Sequence, residues 1–178
     1  MRASIRSRRP CSRRSRGVAA STGALLLLLG LGAAGCSGDD GPVSVDAAPL
    51  TGAAATTCRT FLDSLPDTLA GLEQRAVTPS DAPARAWGPE GMVLTCGAPQ
   101  PPTFTDTAGC EVIRGVGWFF PSAEYADSGV DLLATAVGYE PRISLLVPAS
   151  YRGDVSLEAF SDLADYVKPA LKLVKRCR

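Results

Sequence analysis

The first 36 residues decide where this chain can fold and how much of it is left to do so. Arg2, Arg6, Arg8, Arg9, Arg13, Arg14 and Arg16 crowd the first 16 positions without one acid, and an apolar run over residues 17–34 follows, densest at 25–29. That charge order is the one a secretory signal peptide uses. The run closes on Ala33-Ala34-Gly35-Cys36, small residues that suit a lipoprotein signal peptidase, with a thiol able to take diacylglycerol. Ala33 stands where a leucine is commonest. The competing reading is a membrane-spanning helix, because 18 apolar positions approach the roughly 20 that a bilayer needs. Glycines at 17, 23, 30, 32 and 35 shorten the truly apolar core to signal length. Neither arginine pair is followed by the apolar residues that export of folded proteins prefers. The expectation is a signal peptide over residues 1–35, acylation of Cys36, and a protein held by its lipid on the extracytoplasmic face of the cell membrane.

Cleavage there changes the electrostatics. The whole chain is neutral, with 18 basic and 18 acidic residues, but seven of the basic ones precede Cys36. The remainder carries 11 basic and 18 acidic residues, a net charge of −7. Nucleic acid is therefore excluded as a partner, since its binding is driven by Lys and Arg on phosphate. The charge is also polarised: residues 37–167 hold a net −12, whereas the last 11 hold five cations and no acid. Lys168, Lys172, Lys175 and Arg176 would suit a helix C-terminus, where cations complement the dipole. The alternative is a basic patch for anionic headgroups or an anionic wall polymer.

Residues 36–52 are rich in Gly, Asp, Ser, Pro and Ala without apolar periodicity, as expected of a flexible tether behind Cys36. Residues 53–178 then suit one domain with one core. That domain contains Cys58, Cys96, Cys110 and Cys177, an even number in a compartment that permits disulfides. No C-x-x-C pair and no histidine exist, so neither zinc nor a redox dithiol accounts for them. Three connectivities are open. The preferred one joins Cys58 to Cys96, stapling an opening helix to a central strand, and Cys110 to Cys177, pinning a closing helix to the sheet.

The pattern predicts a helix over residues 53–64, stopped by Pro66, and a further turn over 66–72. Strands are predicted at Met92–Cys96, at 112–120 and at 132–137 paired with Ile143–Val147 around the loop Gly138-Tyr139-Glu140-Pro141. Leu157, Phe160, Leu163, Ala164, Val167, Leu171 and Val174 trace one stripe of a final helix, with Pro169 on its polar face expected to kink or split it. The fold class is α+β, an antiparallel sheet with an N-terminal and a C-terminal helix packed on one face, braced by disulfides.

Catalytic chemistry is hard to assemble from these residues. Without histidine the commonest general base is missing, and neither G-x-S-x-G nor S-x-x-K occurs. Gly115-Val116-Gly117 lacks the third glycine of a phosphate loop and reads as strand glycine. Acids are plentiful, but no two are singled out for the paired work a glycosidase needs. Trp87 and Trp118 are the only tryptophans. Burial in the core and contact with a partner are both open to them, since aromatics serve both.

Several segments together resemble a known family: CRTFLDSLP over residues 58–66, Ala86-Trp87-Gly88-Pro89, Val93-Leu94-Thr95-Cys96-Gly97, Gly115-Val116-Gly117-Trp118-Phe119, and the helix after Val147-Pro148. The chain is similar over residues 58–174 to the actinobacterial lipoprotein family catalogued as domain of unknown function 3515. It departs at Thr95, where such proteins carry arginine. The resemblance implies an exported or membrane-attached envelope protein, implies no activity, and favours pairing Cys58 with Cys96. The functional expectation is a non-enzymatic binding or envelope-accessory module, without cofactor or metal. Its expected contacts are the membrane, through the lipid on Cys36, and an envelope protein or wall component, with Trp87 and Trp118 as candidate contacts. The alternative is a carboxylate-dependent envelope hydrolase.

Overall fold

Alternate residues of the central strands point to opposite faces of a sheet, and both faces are covered. In the computed structural model, which describes residues 41–105 and 107–177, the elements run in chain order as β1 (Val43–Ser44), α1 (Gly52–Asp63), β2 (Thr68–Leu69), β3 (Leu72–Arg75), β4 (Val77–Thr78), β5 (Ala84–Trp87) and β6 (Met92–Cys96). They continue with β7 (Glu111–Ile113), β8 (Val116–Trp118), α2 (Ser122–Ala126), β9 (Leu132–Ala136), β10 (Tyr139–Glu140), β11 (Ile143–Val147), a 3-10 turn (Ala149–Tyr151), α3 (Asp154–Ala170) and β12 (Lys172–Leu173). Six strands form one antiparallel sheet in the order β2-β3-β5-β6-β11-β9. The expected signal peptide over residues 1–35 and the expected acylation site Cys36 lie outside the described residues.

The strand period of two sorts the core. Met92, Leu94 and Cys96 of β6, Ile143, Leu145 and Val147 of β11, and Leu132, Ala134 and Ala136 of β9 meet Phe61 and Leu62 of α1 and Phe160, Leu163 and Val167 of α3. Both long helices therefore cover one face, as expected. Ala84, Ala86 and Val93 point the other way, against Val45 and Ala82. Each large aliphatic or aromatic side chain so buried contributes about 1.5–3 kcal/mol.

The helical stripe is narrower than predicted. Phe160, Leu163, Ala164, Val167 and Leu171 are buried, but Leu157 is 57% exposed and Val174 half exposed. Gly153, at φ +94°, turns the chain into α3, and Asp154 in the first turn faces the positive end of the dipole. Pro169 does not split the helix. It sits in the last turn, and the helix stops one residue later, so proline acts as a terminator. Of the four cations expected at the helix end, only Lys168 is in the last turn.

Two further expectations are corrected. Residues 41–50, expected as tether, are docked: Val43 N–H donates to the Ala76 carbonyl at 2.8 Å and Val45 N–H to that of Thr78 at 2.9 Å, making β1 parallel to β4. Val45 is buried, Leu50 packs on the main core, and Arg75 holds the Gly41 carbonyl. The segments 66–72 and 112–120, expected as a turn and one strand, are the hairpins β2–β3 and β7–β8. Their turns are Ala70-Gly71 (φ +49° and +74°) and Arg114-Gly115 (φ +46° and +88°), both residues left-handed as a two-residue hairpin requires.

The disulfides are Cys58–Cys96 and Cys110–Cys177. The first joins α1 to β6, as preferred. The second does not pin α3 to the sheet. Because α3 ends at Ala170, Cys177 lies in the segment beyond it and is tied to the start of the β7–β8 hairpin.

Candidate functional site

The sheet face opposite the helices is covered in two halves. β1 and β4 lie over the β5–β6 half. The β11–β9 half is walled by residues 98–109 and by α2, and an apolar cleft of about 540 Å³ opens between them. Its floor carries two hydroxyls that strand register sets side by side, Ser144 of β11 opposite Thr135 of β9. Thr135 and Ser144, 1% and 7% exposed, lie under walls that include Pro101, Pro102, Phe119 and Phe120. Leu133 of the edge strand β9 is 43% exposed at the rim.

The α2 wall is held by charge-assisted bonds. Glu124 accepts from the Leu133 N–H at 3.0 Å, which blunts the edge of β9. The Arg152 guanidinium donates to the carbonyls of Glu124, Tyr125, Asp127 and Val130 at 3.1–3.2 Å. Bonds of this kind contribute more than neutral ones, but these are partly exposed. Arg152→Met should therefore cost about 1.5–3 kcal/mol, read from the denaturant midpoint, and should open residues 122–130 to protease before the rest of the protein. A loss under about 0.5 kcal/mol would show that the loop is held otherwise.

Across residues 98–109 lies a second cleft, of about 860 Å³, lined by Arg142, Lys175 and Arg176 together with Gln100, Phe104 and Val174. Gln100 and Ala108 line both clefts, and Phe104 reaches across to meet the Phe119 ring edge-on at 5.2 Å. The basic tail is a built wall. β12 pairs antiparallel with β10, and the Val174 and Lys175 N–H groups both donate to the Gly138 carbonyl, at 2.9 and 3.2 Å. A Cβ on Gly138 would collide with the Lys175 carbonyl oxygen, so only glycine allows this approach. The Cys110–Cys177 bond closes the far end.

Arg142 is strapped to the opposite wall. Its carbonyl accepts from the Gly97 and Ala98 N–H groups at 2.7 and 2.9 Å, and its Nη1 donates to the Ala98 carbonyl at 3.2 Å. Its Nε is buried without a hydrogen-bond partner among the described residues. Burial pushes the Tyr139 phenol above its ordinary value, against the opposing pull of Arg176.

Trp87 and Trp118, the candidate partner contacts, are both 0% exposed. Trp87 Nε1 donates to the Pro66 carbonyl at 3.0 Å, and the Trp118 ring packs on Phe160 at 4.9 Å. Neither offers surface to a partner, because each fills the layer between the sheet and a helix. Asp63 and Asp81 share a smaller hollow of about 390 Å³ with Arg59 and Arg85, where Asp63 is engaged by Arg85 at 2.8 Å. Among the described residues no group of three or more His, Cys, Asp or Glu could hold a metal ion, and no helix is long and apolar enough to cross a membrane. Arg142 was not singled out by its sequence. A single arginine after a Pro-containing turn carries no signal until the fold brings it to a cleft that residues 175 and 176 also line.

No curated protein and no solved structure matches this chain. A family model described as Protein of unknown function (DUF3515) matches residues 19–174, and with nearly all of the chain so covered, the protein belongs to that family.

Proposed function

We propose that the protein is exported, cleaved before Cys36 and held by acyl chains on that cysteine at the extracytoplasmic face of the cell membrane, where its folded part works as a non-catalytic binding module for an envelope protein or wall component. The observation that carries the binding role is the pair of adjoining clefts, of about 540 and 860 Å³, with one apolar and one cationic lining and a shared, rigidly anchored wall. Volumes of this order suit a bound group of small-molecule size or the side chains of a partner. Two disulfides support the address, since such bonds persist outside the cytoplasm.

Anchoring is tested by cell fractionation of Cys36→Ser. Two acyl chains, at about 0.8 kcal/mol per buried methylene, hold a protein firmly. The variant should accumulate unprocessed or leave the membrane for the medium. Normal processing with full membrane retention would overturn the anchor, and hydrolysis of wall fragments by the purified protein would overturn the non-catalytic role.

A further inference from the structure

We infer that the apolar cleft between residues 98–109 and α2 is a binding site for an uncharged sugar that carries an acetamido group, with the hydroxyls of Ser144 and Thr135 holding the amide. This deepens the reading above by naming the class of wall component, and it rests on that reading for the role, whereas the binding itself does not depend on the anchor at Cys36.

The strand period turns Ala134, Ala136, Ile143 and Leu145 toward the helices, so Thr135 and Ser144 leave the sheet on the cleft side. Phe119 and Thr135 exchange both backbone hydrogen bonds, at 2.8 and 3.0 Å, so the backbone groups of Thr135 point away from β11. Thr135 and Ser144 are therefore a closely spaced pair, with Cα atoms about 4.5 Å apart. The same bridge sets the Phe119 side chain beside Thr135 on the cleft face. Both floor residues are more than nine-tenths buried, and neither hydroxyl has a hydrogen-bond partner among the described residues. Buried polar groups are normally satisfied, so two unpartnered hydroxyls side by side on one floor point to a ligand. Each can donate and accept, and an amide presents a carbonyl and an N–H on adjacent atoms, one for each.

The lining sets the charge of the ligand. Among the described residues Glu124 is its only ionisable side chain, and one carboxylate oxygen already accepts from the Leu133 N–H. No lysine or arginine stands there to meet a carboxylate or phosphate, and Glu124 repels both. A cationic head would be buried on two neutral hydroxyls, which leaves its charge unpaired. The C–H faces of a sugar ring suit walls of Phe119, Phe120, Pro101 and Pro102. The two aromatic rings are braced from behind: Phe104 meets Phe119 at 5.2 Å and Phe160 meets Phe120 at 5.4 Å, both edge-on. Exposed Gln100, Thr103 and Ser122 add hydrogen-bonding groups for the sugar's own hydroxyls. A peptide is the rival source of an amide. An extended peptide binds a sheet by adding a strand to its edge, but at β9 that edge is taken, Thr135 by Phe119 and the Leu133 N–H by Glu124.

The test is a calorimetric titration with N,N′-diacetylchitobiose of the full chain, purified from cells and reconstituted in phosphatidylcholine vesicles. Cellobiose, which has hydroxyls in place of both acetamido groups, should bind about tenfold more weakly or worse, because the floor is then left unpaired. Ser144→Ala and Thr135→Val should each weaken chitobiose binding by about tenfold. Ser80→Ala, in the separate hollow beside α1, should change it by less than about twofold. Without sugar, Ser144→Ala and Thr135→Val should unfold at the same or a higher guanidinium midpoint, since each removes an unpaired buried polar group. A midpoint lowered in both would show that the hydroxyls serve the fold, and would overturn the assignment. No binding of the disaccharide, equal binding of cellobiose, or binding that both floor variants leave unchanged would overturn it too. Tighter binding of an uncharged N-acetylated dipeptide amide would overturn the sugar in favour of a peptide. Cleavage of the disaccharide would overturn the non-catalytic reading and leave the site standing. Failure of the anchor would appear in the Cys36→Ser fractionation without changing the titration.

Discussion

Replacing Cys58 and Cys96 together by alanine should lower the free energy of unfolding by about 4 kcal/mol. The bond closes a loop of 38 residues, and the chain-entropy model assigns that stabilisation to the freedom an uncrosslinked unfolded chain regains. Both sulfurs are buried, at 1% exposure, between α1 and the central strand β6. Alanine leaves an apolar site with only a small void, so the measurement reports chiefly on the crosslink. Guanidinium denaturation under nonreducing conditions would read the change. The denaturant slope should rise as well, because the open chain exposes more surface. Against a total of 5–15 kcal/mol for a domain of this size, the variant is near the limit of folding at 37 °C. A change under 1 kcal/mol would mean that α1 is fixed to the sheet by packing alone.

Trp118→Ala should cost about 3–5 kcal/mol, the range for deleting a buried aromatic from a packed core. The ring is fully buried and lies between the β7–β8 hairpin and Phe160 of α3. Phe160 in turn meets Phe120 edge-on at 5.4 Å, so the loss spreads through an aromatic cluster beneath the apolar cleft. Trp118→Phe separates size from chemistry. The Trp118 Nε1 is buried without a hydrogen-bond partner among the described residues, so removing it releases an unpaired donor. That variant should lose no more than about 1.5 kcal/mol in the same denaturation measurement. If Trp118→Ala were within 0.5 kcal/mol of the parent, the tryptophan would not be a core residue.

How far the fold was legible depends on whether its signals are local. Met92–Cys96 and Ile143–Val147 occupy the stretches their apolar runs predict, because a strand buried on both faces needs mostly apolar residues, here broken only by Thr95 and Ser144. α1 falls within a residue of its predicted bounds, closed ahead of Pro66. The two-residue turns were missed because Ala70 and Arg114 stand where asparagine, aspartate or glycine usually signals a left-handed residue. The docked segment 41–50 was missed for a different reason. Its few apolar side chains, Val43, Val45 and Leu50, show no period of their own and acquire meaning only against the sheet face and core they cover.

By itself the sequence determined the class of fold, the even set of cysteines, the polarised charge and the single stripe of α3, since each is written in composition or in spacing over a few residues. Only the tertiary structure decided which cysteines join, that both tryptophans are interior, and that Arg142 shares one cleft with Lys175 and Arg176. Those relations depend on the register of strands far apart in the chain and on a glycine that lets two backbones touch. No local pattern carries them, because the free energy that selects a register is realised only when the whole sheet has assembled.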